Sequence, residues 1–235
     1  MLPILVFLVL LAIYQNSFSK GRFTCKNFLL NAYLYIFLSF LITAVSVQMY
    51  DYFQVPSLPD IYRKNGFIVL SIFLMMIGLL ILVMSWPAQK VIQKHFLWVL
   101  WVALIGYTLY PLFQKSPQIY EQATILTFMM MAVLTGITFM YPNKVKLSWA
   151  STLLTLLIGL ILVRIIDMFI PFSSKMNYWL SYISLVLFSF FMLWDTKLLM
   201  VKAKQCVKAD YINDSMGVFL DGLNIFSNIF AIQSN

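Results

Sequence analysis

The sequence predicts an all-α fold, a polytopic bundle of membrane-spanning helices, and three observations carry that prediction. Of 235 residues, 62% are hydrophobic and only 10% charged, with a mean hydropathy of +0.89. A soluble domain of this length needs far more polar surface than that. Apolar runs long enough to cross a bilayer, about 20 residues, recur along the whole chain. The cations collect in the short stretches between those runs, the pattern that orients membrane helices.

The elements follow in order. The first stretch, 1–16, is apolar but short for a full span. It has no basic leader and no small-residue cleavage site before Lys20, so it reads as an extra N-terminal helix, tilted or incompletely spanning, rather than a cleaved signal peptide. Residues 27–232 then read as a seven-helix bundle, and the whole chain, 1–235, as a single transmembrane domain. Its apolar runs lie at 27–50, 66–86, 95–113, 121–141, 148–170 and 177–200, with a weaker seventh at 211–232. Pro56 and Pro59, Pro87, Pro117, Pro142 with Asn143, and Pro171 with Ser173 and Ser174 punctuate the connectors. Ser71, Gly78 and Ser85 form one small-residue stripe and Thr124, Thr127, Thr135 and Thr138 another, both expected to be seams of close helix packing.

The charge count gives the orientation. One side receives Lys20, Arg22, Lys26, Lys90, Lys94, Lys144, Lys146, Lys197, Lys202, Lys204 and Lys208, and the other receives Arg63, Lys64, Lys115 and Lys175. That asymmetry predicts that residues 15–26 and the 201–210 loop face the cytosol. Cations so dispersed make no nucleic-acid surface despite the net charge of +8. Cys25 and Cys206 fall at these cytosolic helix ends, where a disulfide is not expected. His95, the single histidine, makes no metal site by itself and reads as interfacial.

Chemistry points to the last two runs. Asp195 lies within FSFFMLWDTKLLM (188–200) and Asp221 within DSMGVFLDGLNIF (214–226). A charge in the hydrocarbon layer is costly, so an intramembrane carboxylate is by default a functional group with a partner to be named. The natural partner of each is the other, giving a site that shares a proton or transiently holds a cation. Asp214, Gly217, Asp221, Asn224 and Asn228 recur on one face of the final helix, a polar stripe that must face a wet cavity rather than lipid. One obstacle stands out: Asp195 sits only about 8 Å from a helix end at 200, whereas Asp221 lies about 15 Å from Tyr211, leaving the two at different depths. Arg164 and Asp167, three apart near the far end of 148–170, are spaced to pair along a helix face.

The run IIDMFIPFSSKMNYWLSYISLVLFSFFMLWDTKLL (165–199), followed by DYINDSMGVFLDGLNIF (210–226), resembles the C-terminal signature of the Bax-inhibitor (lifeguard) family. An Asp-Thr in the sixth helix, a basic loop with Asp-Tyr, and a final Leu-Asp-x-x-Asn-x-Phe carry the resemblance. It implies a seven-helix fold and a paired-aspartate site, at Asp195 and Asp221, governing a pH-sensitive calcium leak of intracellular membranes such as the endoplasmic reticulum or Golgi. It also implies modulation of cell death. Calcium is then the permeant ion and not a cofactor, and no cofactor is expected. Membrane lipid, protons and cell-death or calcium-handling membrane proteins are the implied partners. The chain departs from the family in lacking an arginine latch at the end of its second family helix, where it reads Ser85-Trp86-Pro87. Lys90 or Lys197 is expected to substitute only in part. The 1–14 extension is also additional, and together these mark a divergent member.

Two other functions compete. An intramembrane aspartyl protease also uses two carboxylates, but Asp221 follows Val218-Phe219-Leu220 instead of a Gly-x-Gly, and no Pro-Ala-Leu follows; the chain is not expected to be an enzyme. A seven-helix receptor is disfavoured by the predicted orientation. A non-conducting membrane interaction protein that suppresses apoptosis by binding partners is the remaining alternative.

Overall fold

The structure, a computed structural model, describes residues 2–19 and 21–234. Met1 and Lys20, which entered the expectations for the first helix and the charge count, lie outside the described residues. The elements are α1 (Leu2–Ser17), β1 (Phe18–Ser19), β2 (Arg22–Phe23), α2 (Phe28–Tyr52), α3 (Leu58–Lys64), α4 (Gly66–Ser85), α5 (Val91–Lys115), α6 (Pro117–Met140), α7 (Trp149–Phe169), α8 (Ser174–Lys204) and α9 (Tyr211–Gln233). Seven of these, α2 and α4 to α9, are long and apolar enough to cross a membrane. The fold is all-α, as the composition requires, and the short apolar α1 precedes the seven. By proximity the chain divides into two compact units, Met1–Pro117 with Ala203–Met216, and Gln118–Lys202 with Gly217–Asn235.

In the first unit α2 packs on α1 and α5, and α5 on α4. The α2–α5 crossing is tight at Gly106, where a Cβ would come within 2.8 Å of Ser46 Cβ and 2.9 Å of the Thr43 carbonyl oxygen. Only a residue without a side chain lets the two backbones approach so closely. The connector 53–65 holds the short α3. Asp60 accepts from the Ser57 N–H at 3.2 Å and from the Ser57 hydroxyl, a capping box, with Pro59 in the first turn. The Ser71–Gly78–Ser85 stripe is a correction to the expected packing seam. All three residues are exposed, and α4 buries Met76, Leu79 and Val83 instead, because that apolar set at i, i+3 and i+7 shares a different face. On α6, Thr127 and Thr138 are buried and return their hydroxyls to carbonyls one turn back, Ala123 and Leu134.

The disulfide expectation is overturned. Cys25 and Cys206 are bonded, with Cα atoms 5.9 Å apart and 181 residues between them in sequence. Compartment reasoning gave the wrong answer because folding brings the segment before α2 against the α8–α9 loop. The antiparallel β1–β2 pair, with Phe18 stacked on Phe23 at 5.1 Å, shapes that segment. Asn31 donates to the Lys26 carbonyl at 2.9 Å and to the Tyr211 hydroxyl at 3.2 Å, while Tyr211 donates to the Thr24 carbonyl. These contacts set residues 24–26 and 206–211 side by side, so both face the same side of the bilayer, as the charge count has them.

The second unit contains α6, α7, most of α8 and the larger part of α9. Tyr120 of α6 meets Phe226 of α9 edge-on at 4.9 Å. Trp149 of α7 meets Phe190 of α8 at 6.1 Å, and the Trp194 indole donates to the Leu147 carbonyl at 3.0 Å. Burial separates the spans sharply: 67% of the α9 window is buried against 6% of the α7 window. A helix that carries carboxylates and amides has to be the buried one, since lipid offers them no partner.

A carboxyl pair as the candidate functional site

Helix length removes the obstacle to pairing. The basic residues after Met200 read as a loop, yet α8 continues to Lys204, because Val201, Lys202, Ala203 and Lys204 place no Gly or Pro in its way. Asp195 is therefore about 14 Å from the end of α8 and Asp221 about 15 Å from the start of α9. At matched depth the two carboxyl groups come within interacting range of one another. Two carboxyl groups this close can be joined by a hydrogen bond only when a proton lies between them. Asp221 is 5% exposed, and its Oδ2 is buried with no hydrogen-bond partner. That atom is a spare acceptor for a proton, a water or a cation.

Gly217 makes room for the contact. A Cβ at this position would lie 2.6 Å from Asp195 Oδ2 and 2.7 Å from both Cγ and Oδ1. The Asp195 carboxyl group thus lies directly against the α9 backbone one turn before Asp221. Gly217→Ala is expected to push the Asp195 carboxyl group off this seat and separate the pair, while α9 itself gains from the better helix former. Infrared difference spectra should show the change as loss of the signature of a shared carboxyl proton, with helix content by circular dichroism unchanged.

The pair lines a cavity of about 720 Å³ walled by α7, α8 and α9. Its polar lining is Gly217, Asp221, Asn224, Ser227 and Asn228 from α9, Ser184 and Asp195 from α8, and Arg164 from α7, and the rest is Leu, Ile and Phe. The Asn224 and Asn228 amides donate to carbonyls of their own helix, Leu220 at 2.9 Å and Asn224 at 2.8 Å. This leaves their side-chain oxygens as acceptors along the cavity wall. Four of the five residues in the sequence stripe therefore line one cavity. Asp214 does not; it sits in the first turn of α9, half-buried, where its Oδ2 accepts from the Asp210 N–H at 3.3 Å.

A family model described as an inhibitor of apoptosis-promoting Bax1 matches residues 25–235. The chain belongs to the Bax-inhibitor family. With seven apolar helices of spanning length it is a multi-pass integral membrane protein. The match begins beyond α1 and does not cover it.

The cations distribute differently from the sequence expectation. Lys90 lies over the Trp86 ring, 5.6 Å from its centre. Lys197 is half-buried on α8 two residues beyond Asp195, a spacing at which helix side chains do not face each other. Arg164 and Asp167 pair at 4.0 Å. The residue that sequence reasoning missed is Lys94. It is fully buried, donates to the Trp86 carbonyl at 2.8 Å and pairs with Asp210 at 2.5 Å. Trp86 caps the C-terminal end of α4, so the cation at the end of this Bax-inhibitor helix is supplied by the next helix. His95, near the start of α5, joins its ring nitrogens to the Tyr35 hydroxyl at 2.6 Å and the Val91 carbonyl at 2.7 Å.

Proposed function

We propose that the protein is a cation leak channel of intracellular membranes, permeable to calcium and gated by the Asp195–Asp221 pair, through which it lowers store calcium and modulates cell death. One observation carries the reading: a carboxyl pair, Asp221 buried with a spare oxygen and Asp195 half-buried, lines a cavity that continues along α9 past Asn224 and Asn228. A pair joined by a proton closes the way between α8 and α9. Loss of the proton replaces that attraction by repulsion between two carboxylates and parts the helices, and a cation entering between them finds both as ligands. Calcium prefers six to eight oxygen ligands. The pair and the neighbouring amide oxygens supply fewer than a full shell, so water completes it, and weak coordination of this kind suits passage rather than storage.

Family membership supports the apoptosis-modulating part of the reading. The test is calcium flux from proteoliposomes containing only the purified chain. Flux above that of protein-free vesicles, blocked by lanthanum, is expected. No flux from folded, correctly inserted protein would leave the non-conducting interaction protein as the function.

A further inference from the structure

The cavity that begins at the carboxyl pair carries a fixed positive charge at its other end. Arg164 lines it together with Asp195, Asp221 and Asn228. The Arg164 Nη1 donates to Asn177 Oδ1 at 3.2 Å, which pins the guanidinium to the level of the first turn of α8. Asp195 lies 18 residues further along that helix, about 27 Å away along its axis. Asp167 offsets the charge only in part: it stands 4.0 Å from Arg164 Nη1 and is shared with the Phe172 N–H, which it accepts at 2.8 Å. The Arg164 side chain is 37% exposed and lines the cavity, so its charge is not locked away by burial.

From this geometry we infer that Arg164 is the specificity-determining residue of the cavity, an electrostatic brake that slows divalent cations more than monovalent ones at the mouth opposite the carboxyl pair. The inference rests on the leak-channel reading and deepens it. A fixed charge acts on a passing ion in proportion to the ion's own charge, so its removal favours calcium over potassium. Asp167 tunes the brake. Neutralising Asp167 strengthens it, and neutralising Arg164 releases it. Asn177 keeps Arg164 aimed at the mouth.

The experiment compares wild type, Arg164→Gln, Arg164→Lys and Asp167→Asn, each purified, monodisperse and reconstituted, with bi-ionic reversal potentials and calcium flux measured in parallel. Arg164→Gln is expected to raise calcium flux, on the order of tenfold for a divalent ion after screening, and to shift the reversal potential toward higher calcium-to-potassium permeability. Arg164→Lys keeps the charge and should stay close to wild type. Asp167→Asn should lower calcium flux. A purely structural role predicts the opposite signature: Arg164→Gln loses flux for both ions together and leaves the reversal potential unmoved. Either that result or wild-type selectivity in Arg164→Gln overturns the inference while the leak reading survives. A wild type that conducts nothing overturns both.

Discussion

Asp195→Asn or Asp221→Asn is expected to cut calcium flux by at least about tenfold and to flatten its dependence on pH. Asn keeps the size and hydrogen-bonding capacity of Asp but removes the charge and the titratable proton, so what is lost is the chemistry of the pair and not its packing. Because the two carboxyl groups lie within interacting range of each other, they are expected to act as one site that either substitution disables. The double substitution should therefore cost little more than the worse single one, as coupled residues are non-additive. Asp214→Asn should be milder, since that residue lies at the helix start outside the cavity lining. Efflux from loaded vesicles at several pH values, for wild type, the three single mutants and the double, checks each part. Unchanged flux and an unchanged pH profile in both cavity mutants would remove the pair from the mechanism.

The pair was legible in sequence because a carboxylate inside an apolar run has no inexpensive explanation, and two such runs were adjacent. The seven spans were legible for a similar reason: length and hydropathy are local properties, and the observed helices differ from the apolar runs only at their ends. Helix ends proved decisive at α8. The cations after Met200 looked like a loop, but Lys and Ala sustain a helix, and four more residues bring Asp195 to the depth of Asp221. What stayed hidden depends on distant partners. Cys25 finds Cys206 across 181 residues, and no spacing rule reports this. Lys94 counted as one more loop cation, while its burial depends on Asp210 and on the carbonyl end of α4. The Ser57–Asp60 capping box with Pro59 was a local signal that marks the start of α3. The Ser71–Gly78–Ser85 stripe misled because small residues permit close packing without requiring it.

Removing the Lys94 charge is expected to have the largest effect on stability. Lys94 lies in the first turn of α5, where the helix dipole disfavours a cation. Its burial is tolerable only because Trp86, at the carbonyl-rich end of α4, and Asp210 both accept from its ammonium group. Lys94→Met keeps much of the volume but leaves the Asp210 carboxylate, only 22% exposed, without its counter-charge. Breaking a buried pair from one side costs about 3–5 kcal/mol, and partial exposure of Asp210 places this case near the lower end. In a chain of this length about 3 kcal/mol corresponds to a fall in melting temperature of roughly 6–12 °C. Asp210→Asn should be less damaging, since the amide oxygen still accepts from Lys94. The combined Lys94→Met, Asp210→Asn variant should melt above Lys94→Met alone, because the stranded charge has gone and a neutral buried contact replaces an unpaired ion. Scanning fluorimetry of the four proteins in one detergent closes this cycle. A double mutant no more stable than Lys94→Met would assign the loss to packing around the lysine stem, and Lys94 would then be a spacer between α4 and α5 instead of a buried counter-ion.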